Sequence, residues 1–302
     1  MKDMKKIHLI IFAFIALIAT SCNRLDVAGM VVNRSDTEER VADWLDYNAQ
    51  HEPIIIDMPR NYCFFACSDS HYSESDNIVP QGENDRLYQF MTAMRNCPHA
   101  FAIHAGDIVN ERGEAGFRMT EAAIQYNPNE QDWNHPCFFV IGNHDVYYDC
   151  AQYYKQYFHT STYTVTVNAD GVKDLFIFLD SANGTHGKRQ LDWLEEQLAE
   201  RDKYRNCFVV SHNWLFRTFY NYTTTPAANL PLDEQYAFMD LMSRSNVNMV
   251  IMGHFHMREQ RQFGGVQYVM TDNLNEDVET PNYLVVNVTE KVTYEYRDLV
   301  EE

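Results

Sequence analysis

Five apolar runs of strand length, each followed at once by polar residues, dominate the pattern of this chain. Runs that stay apolar at every position are typical of strands covered on both faces. The five runs are Tyr62–Cys67, Ala100–Ile103, Cys137–Ile141, Cys207–Val210 and Val247–Met252. Helical patterns separate several of them, over 86–95, 152–158, 189–200 and 233–243. Strands that alternate with helices predict an α/β fold with a parallel or mixed sheet.

Four further segments alternate between apolar and polar residues. They are 162–167, 266–270, 283–288 and 292–296. Alternation predicts half-buried, largely antiparallel strands, and we expect these four to form a second sheet packed on the first. The segment 111–133 is long and polar, and we expect a loop there that overhangs the polar ends of the apolar strands.

The first 22 residues have the composition of an export signal. Three lysines precede an apolar run over Ile7–Ala19, and small residues stand before Cys22. This order is typical of a secretory signal, and the run is shorter than the roughly 20 residues that span a bilayer. A cysteine in this place resembles a bacterial lipoprotein cleavage box, which implies cleavage before Cys22 and its acylation. The alternative is an ordinary cleaved signal without a lipid.

The remaining chain divides into a short leading part and one domain. Residues 23–52 are predicted to be a tether and a peripheral helix, because Ser35 and Glu38 form a capping box. We expect that helix over 36–50. Residues 53–302 show no internal break or repeat, and their length fits one large α/β domain. Because of the export signal, we expect the protein to be exported and, with Cys22 acylated, to be a membrane-anchored lipoprotein in the periplasm or at the cell surface of a bacterium.

Charge and cysteine content narrow the possible partners. The formal net charge is -19, and it becomes -21 without residues 1–22, which carry a net charge of +2. A chain this acidic repels polyanions, so we expect no binding of long nucleic acid through a basic surface. Six cysteines follow Cys22. Most lie in or beside apolar runs, which favours buried core thiols, and their pairing stays open.

The polar residues that follow the apolar runs are of types that bind metals. They are Asp69, His71, Asp107, Asn143, His144, His212, His254 and His256. Oxygen and imidazole groups without sulfur favour Zn, Mn, Fe or similar ions. Ligands bind beyond the carboxyl ends of strands in such sheets, and members of a pair two residues apart would share one face of an extended strand. The number of groups exceeds the needs of one ion and indicates two.

The order of these residues resembles the calcineurin-like metallophosphoesterase family. The motifs are Asp-x-His, Gly-Asp, Gly-Asn-His-Asp, a single His and Gly-His-x-His, and they span about two thirds of the chain. The resemblance implies a four-layer α/β/β/α sandwich of two mixed sheets flanked by helices. It also implies two divalent metal ions. It places Asp69, His71 and His256 on the first ion, Asp107 between the ions, and Asn143, His212 and His254 on the second.

The same resemblance implies an activity. A hydroxide that bridges the ions attacks a phosphate monoester or diester, and His144 donates a hydrogen bond or a proton near the leaving group. The acidic chain favours a small ester as the substrate. The alternatives are a surface-anchored binding lipoprotein that uses the same scaffold without turnover, and a metal-storage protein, which would not need His144.

Several neighbouring residues carry weaker predictions. Asp145 either orients the His144 imidazole or caps a local helix. Trp214 could stack on a base or sugar and Arg217 could hold a phosphate; the alternative for the tryptophan is packing within its loop. Asn110 stands where purple acid phosphatases carry a tyrosine, so the resemblance excludes a purple iron site. The match to protein phosphatases of the family is weak.

Overall fold

The computed structural model describes residues 36–73, 85–110, 113–125, 136–216, 230–274 and 280–299. Six α-helices and twelve strands follow one another in these ranges. The helices are α1 (Thr37–Ala49), α2 (Arg86–Arg95), α3 (Ala115–Gln125), α4 (Ala151–Phe158), α5 (Gly187–Ala199) and α6 (Leu232–Arg244). The strands are β1 (Ile54–Met58), β2 (Tyr62–Cys67), β3 (Ala100–His104), β4 (Cys137–Phe139), β5 (Tyr163–Ala169), β6 (Val172–Phe178), β7 (Asn206–Val210), β8 (Met249–Met252), β9 (Glu259–Phe263), β10 (Val266–Met270), β11 (Asn282–Val288) and β12 (Val292–Asp298).

The strands form two mixed sheets. One has seven strands in the order β1-β5-β6-β7-β8-β10-β9, and the other has five in the order β12-β11-β2-β3-β4. β6, β7 and β8 run parallel, as do β2, β3 and β4. Helices cover the outer face of each sheet, so the predicted four-layer α/β/β/α sandwich is confirmed.

The allocation of strands to the two sheets differs from the prediction. β2, β3 and β4 lie in the five-stranded sheet, whereas β7 and β8 lie in the seven-stranded sheet. The alternating segments are also divided, since β5 and β10 join the larger sheet and β11 and β12 the smaller one. β10 pairs parallel with β8, not antiparallel. Periodicity reports how many faces of a strand are covered, but it carries no information on which strand lies beside it.

The core between the sheets explains why the apolar runs are continuous. Phe64 from the smaller sheet meets Phe176 and Phe208 from the larger one edge to face, with ring centroids 5.1 Å apart in both pairs. Alternate residues of the same strands point outward onto helices. Phe65 therefore packs on Phe90 of α2. Strands buried on both faces have no position for a polar side chain, so polar residues appear only where the strands end.

The predicted N-terminal helix exists and is better packed than a peripheral element. α1 begins after Asp36, whose side chain accepts a hydrogen bond from the Glu39 N–H at 2.8 Å. Asp36 is thus the N-cap instead of Ser35, which lies outside the described residues. Val41 and Trp44 are fully buried, so the helix forms part of the folded body. Among the described residues, no helix is long and apolar enough to cross a membrane.

The loop predicted over 111–133 contains a helix. α3 buries Phe117, Thr120 and Ala123, a spacing of three that places them on one helical face. Phe117 contacts Tyr154 and Phe158 of α4. The sequence prediction failed because polar residues predominate over 111–133 as a whole, although apolar residues predominate within α3 itself. Residues 126–135 lie outside the described part of the chain.

One cysteine pair is joined. A disulfide links Cys63 at the start of β2 to Cys97 just after α2, so it connects the smaller sheet to the helix that covers it. The other cysteines in the described ranges are free thiols, and they are Cys67, Cys137, Cys150 and Cys207. The export signal and Cys22 lie outside the described residues, and cleavage and acylation stay predictions.

Candidate metal centre

The loops that follow β2, β3, β4, β7 and β8 meet at one end of the sandwich. Because these strands belong to both sheets, the polar residues converge on the gap between the sheets instead of the edge of one. The side chains form three overlapping groups, and within each group the ligand atoms lie within 4.8 Å of one another. The groups are Asp69, His71 and His256; His71, Asp107 and His144; and Asp107, His212 and His254.

Asp69, His71 and His256 form the first subsite. The Nε2 atoms of the two histidines are 3.0 Å apart, and they lie 3.7 Å (His71) and 3.4 Å (His256) from Asp69 Oδ1. A tetrahedral ion with bonds of about 2.0–2.1 Å separates its ligand atoms by roughly 3.3 Å, which these distances match. Asp69 Oδ1 is buried and has no hydrogen-bond partner in the described part of the chain. A buried carboxylate oxygen without a donor is costly unless it binds a cation.

The second subsite contains Asp107, Asn143, His212 and His254. His212 Nε2 lies 3.2 Å from Asp107 Oδ2 and 3.1 Å from Asn143 Oδ1. The Asn143 amide donates to the hydroxyl oxygen of Tyr147 at 3.0 Å, which turns its carbonyl oxygen toward the subsite. Both ring nitrogens of His254 are buried without a partner among the described residues. These unpaired atoms fit a metal ion.

Asp107 lies between the two subsites. Its Oδ2 is 3.2 Å from His212 Nε2 in the second subsite and 3.9 Å from His71 Nε2 in the first. Its other oxygen accepts the backbone N–H of His144 at 2.7 Å. One carboxylate therefore faces both groups of ligands, which is the position that a bridging ligand needs.

The backbone that presents these side chains is strained. Five residues of the centre have φ between 49° and 87°, and they are Asp69, His71, Asp107, His254 and His256. Residues other than glycine adopt this left-handed region at a cost and cluster there at functional sites. The pairs two residues apart converge through these turns, not through the alternation of an extended strand, so the geometric reason predicted from their spacing was wrong.

Two glycines in the motifs allow the loops to approach each other. A Cβ atom at Gly142 would collide with the amide nitrogen and Oδ1 of Asp107. At Gly106, where φ is +94°, a Cβ atom would lie 2.6 Å from His212 Nδ1. Both glycines are therefore required because their loops pass directly against metal-ligand candidates.

Asp145 serves the loop that carries Asp107. Its Oδ1 accepts the N–H groups of Ile108 and Val109 at 2.9 and 3.0 Å, and its Oδ2 accepts that of Gly142 at 2.8 Å. It therefore ties two ligand loops together, and neither predicted role, orienting the preceding imidazole or capping a helix, is what the structure shows. Burial, together with the charge of Asp107, raises the pKa of Asp145 to about 8.

His144 is held with one nitrogen toward the protein. Its Nδ1 lies 3.1 Å from the carbonyl oxygen of Asn110. A carbonyl only accepts, so Nδ1 carries a hydrogen and Nε2 remains for proton exchange. The ring packs edge to face on His71 with centroids 4.6 Å apart. Burial lowers the pKa of His144, against the opposing charge of Asp107, so a proton on this imidazole leaves more readily than from free imidazole.

Burial and nearby charges hold three of the ligand candidates in the form that binds a cation. Burial alone would raise the pKa of Asp69, but His256 and His71 outweigh it and hold the pKa well below the usual range. The pKa of Asp107 is lowered in the same way, chiefly by His212 against the effect of burial. Burial and the charge of His212 lower the pKa of His254 to about 3. The carboxylates are thus ionised and His254 is neutral, as metal ligands must be.

Two of the other imidazoles behave differently in the metal-free protein. Against the effect of burial, the Asp107 carboxylate raises the pKa of His212 to about 9. Asp69 raises the pKa of His256 in the same way. These two imidazoles must therefore lose a proton when a metal binds.

The two predicted substrate contacts have different outcomes. Trp214 is 1% exposed and packs on Phe216 in the apolar cluster beneath α5 and α6. This burial favours packing over stacking, and a contact of Trp214 with substrate stays a prediction. Arg217 lies outside the described residues. Tyr147 was not predicted from the sequence, although a tyrosine four residues after Asn143 is a signal that could have indicated its role.

Comparison with solved structures agrees with the fold. A dimetal phosphatase from Danio rerio is similar with a TM-score of 0.59 and 13% identity over 80% of this chain and 98% of that chain. GAP50, described as the anchor in the inner membrane complex of Plasmodium, has a TM-score of 0.58 and 12% identity over 79% and 85%. Purple acid phosphatase PPD1 from yellow lupin has a TM-score of 0.57 and 13% identity over 80% and 52%. Identities this low show the fold alone.

Comparison of the sequence itself gives the family. No curated protein matches the chain significantly. The family model described as calcineurin-like phosphoesterase matches residues 64–258, which include every ligand candidate. This match covers more than half of the sequence and agrees with the order of motifs from Asp69 to His256. The chain therefore belongs to the calcineurin-like phosphoesterase family.

Proposed function

We propose that this protein is a metal-dependent hydrolase of phosphate esters that works with two divalent ions. The observation that carries the proposal is the convergence of all seven predicted ligands with His144 at one end of the sandwich, with buried ligand atoms left unpaired. The family uses dinuclear metal sites, and the donor set of carboxylate, amide and imidazole groups suits Mn, Fe or Zn.

The proposed ligand roles follow from position. Asp69, His71 and His256 would hold the first ion and Asn143, His212 and His254 the second, with Asp107 between them. Bound there, two divalent ions supply Lewis acidity, which activates water for attack and neutralises charge on the phosphoryl group. Asp145 and Tyr147 would hold the ligand loops in position through their hydrogen bonds with Gly142 and Asn143.

His144 is the proposed catalytic acid. Its Nδ1 is committed to the Asn110 carbonyl, so Nε2 is the atom that would give a proton to the leaving oxygen. His71 and Tyr147 both pack against the ring, with centroids 4.6 and 5.0 Å away. These contacts restrict rotation of the imidazole and keep its free nitrogen toward the centre.

The proposed substrate is a small phosphate monoester or diester. The net charge of -19 opposes binding of a long polyanion, whereas a single phosphate needs only the positive charge of the ions. We further propose export from the cytoplasm and anchoring to a bacterial membrane by a lipid on Cys22. The disulfide between Cys63 and Cys97 supports export, because such bonds persist in oxidising compartments.

The test is hydrolysis of bis-p-nitrophenyl phosphate by purified protein. The protein is stripped of metal and then supplied with Mn²⁺, Zn²⁺ or Fe²⁺, with the monoester p-nitrophenyl phosphate measured in parallel. Turnover that appears only with metal supports the hydrolase, and the ratio of the two rates assigns diester or monoester preference. Folded protein that binds two ions and cleaves neither ester with any metal would contradict the proposal for both substrate classes.

A second candidate function is a non-catalytic binding lipoprotein. The observation that favours it is the similarity in fold to GAP50, which is described as an anchor. That candidate predicts metal binding without turnover. Retention of His144, which no purely structural metal site needs, favours the hydrolase instead. Radiolabelling with palmitate, compared between the wild-type chain and Cys22→Ala, tests the anchor that both candidates share.

A further inference from the structure

The segment that follows β6 lies directly beside the loop that carries His212. Ser181 in this segment is fully buried. Its hydroxyl oxygen lies 3.2 Å from the backbone nitrogen of His212 and 3.0 Å from that of Asn213. Backbone N–H groups only donate, so the serine oxygen accepts from two successive residues of the ligand loop.

The same hydroxyl also fixes a side chain. Its hydrogen is directed to Asn213 Oδ1 at 3.0 Å. His212 has one further anchor, since its Nδ1 lies 2.8 Å from the carbonyl oxygen of Ala105. With the backbone held by Ser181 and Nδ1 held by Ala105, Nε2 is directed at Asp107. Ser181 thus acts on the second subsite without touching the space between the ligands.

Helix α1 holds this segment through the neighbouring Asp180. Arg40 donates from Nε to Asp180 Oδ2 at 2.8 Å and from Nη2 to Oδ1 at 2.9 Å. Trp44 Nε1 donates to Oδ2 at 3.2 Å, and the Ala182 N–H donates to Oδ1 at 3.0 Å. Arg40 and Asp180 are both buried. A buried, bidentate ion pair fixes orientation as well as distance.

A second series of hydrogen bonds reaches Ser181 through Ser211. Ser211 Oγ lies 3.0 Å from Ser181 Oγ and 3.1 Å from His186 Nε2. His186 Nδ1 lies 3.1 Å from Glu234 Oε1 on α6. The segment after β6 is therefore tied to α1 by Asp180 and to α6 by His186. None of these residues was predicted from the sequence to have a functional role.

We propose that Ser181 is a positioning residue for the second subsite, and that helix α1 supports it through Arg40 and Asp180. The inference rests on the proposed two-ion function. It changes the status of α1, which sequence analysis assigned to the tether part of the chain. Residues that orient metal ligands by hydrogen bonds typically contribute about 10–100-fold to metal affinity or activity.

The experiment measures Mn²⁺ binding to metal-stripped full-length protein by equilibrium dialysis. We expect two dissociation constants for the wild-type protein. In Ser181→Ala one of them rises about 10–100-fold and the other is unchanged. Arg40→Gln weakens the same binding step. Trp44→Phe removes only the indole donor to Asp180, and it weakens that step by a smaller factor.

Asp43→Asn is the matched control. Asp43 lies on the same helix, and its carboxylate pairs with Lys155 at 2.7 Å on the surface. Both side chains are about half exposed, so loss of the pair should change neither dissociation constant. Thermal unfolding without metal accompanies each variant and verifies that it is folded. If Arg40→Gln does not fold, Trp44→Phe decides whether α1 contributes.

The outcomes separate this inference from the proposed function. Wild-type protein that does not bind two Mn²⁺ ions contradicts the two-ion function itself. Two ions bound by the wild-type protein, with both constants unchanged in Ser181→Ala, overturn the positioning role while leaving the function intact. An equal rise of both constants also overturns it, because a general loosening of the fold would not select one subsite. Trp44→Phe and a folded Arg40→Gln with wild-type constants overturn the role of α1.

Discussion

The two ends of the β-sandwich each contain buried carboxylates, and they differ in how those groups are paired. At the amino ends of β6 and β7, Asp174 accepts hydrogen bonds from Tyr62, from Arg205 and from the backbone and side chain of Asn206. At the carboxyl ends of the strands, Asp69 Oδ1 has no donor among the described residues. Hydrogen-bond partners offset the cost of burying a charge, whereas a buried carboxylate oxygen without a donor indicates a missing ligand.

The backbone follows the same division. Near Asp174 the strands continue in register, with Asp174 paired opposite Asn206. Near Asp69 the chain turns through left-handed conformations at five residues of the centre. In Asp69 a left-handed backbone and an unpaired carboxylate oxygen therefore occur in the same residue, whereas Asp174 has neither. Burial of a carboxylate alone therefore does not reveal its role, but its hydrogen-bond partners do.

The largest loss of stability is expected at the amino ends of β6 and β7, called the paired end because the carboxylate of Asp174 has its hydrogen-bond donors there. Asp174→Asn replaces an acceptor that faces five donors with an amide that also donates. It leaves the Arg205 guanidinium without its partner. We expect a loss of about 3 kcal/mol in the free energy of unfolding, measured by urea denaturation of metal-free protein. Mn²⁺ stoichiometry should stay at the wild-type value, and a change in stoichiometry would contradict the separation of the two ends.

The carboxyl ends of the strands, called the metal end because Asp69 and the other ligand candidates lie there, should make the stability of the protein depend on Mn²⁺. The paired end should not contribute to this dependence. We expect Mn²⁺ at 100 times the dissociation constant of each subsite to stabilise the wild-type protein by about 2.7 kcal/mol per ion. Asp69→Asn removes the charge that faces His71 and His256, so the gain from the ion in the first subsite should disappear. Asp174→Asn should keep the gain in full. Urea unfolding with and without Mn²⁺ measures both, and an equal gain in Asp69→Asn would argue against Asp69 as a ligand.

His144→Ala distinguishes proton exchange from ion binding within the metal end. His144 is proposed to exchange a proton without holding an ion, so its removal should leave Mn²⁺ binding and stability near wild type. The rate of ester hydrolysis should fall by about 10²-fold or more. Steady-state kinetics and metal analysis of the same sample provide the two readings. An unchanged rate would favour the non-catalytic binding lipoprotein.

Tyr147→Phe is expected to have the smallest effect. It removes the hydroxyl oxygen that accepts from the Asn143 amide, so the amide can rotate away from the second subsite. We expect affinity for one Mn²⁺ ion to fall about 10-fold, at the lower end of the usual range for groups that orient ligands. Asn143→Ala, which removes the ligand itself, should weaken the same step further. Equal affinities in wild type and Tyr147→Phe would show that Asn143 needs no such partner.

The ligand candidates were predictable because the sequence signal for each one lies in its immediate neighbours. Each follows an apolar run, and a run covered on both faces leaves no alternative place for an Asp or His. All five apolar strands and the helices α2, α4, α5 and α6 were found within two residues of their observed bounds, because hydrophobic periodicity is also a local signal. The four-layer fold came from the family resemblance and agrees with the two sheets.

Contacts between distant parts of the chain were not predictable. The division of strands between two sheets depends on pairing, for which burial periodicity has no signal. Arg40 and Asp180 are 140 positions apart, and nothing in the sequence near either residue indicates the other. The partners of Asp145 and the disulfide of Cys63 with Cys97 were missed for the same reason.

The division of the ligands between the two sheets has a consequence for when the ions can enter. Asp69 and His254, which hydrogen-bond to each other across the centre, are 185 positions apart, so a chain segment that lacks either sheet also lacks part of the site. A metal site of this kind does not exist in an unfolded chain. Ions bound at this centre would therefore be acquired after both sheets have closed, and a chain that is exported unfolded would take its metals from the medium in which it folds, not from the cell that made it.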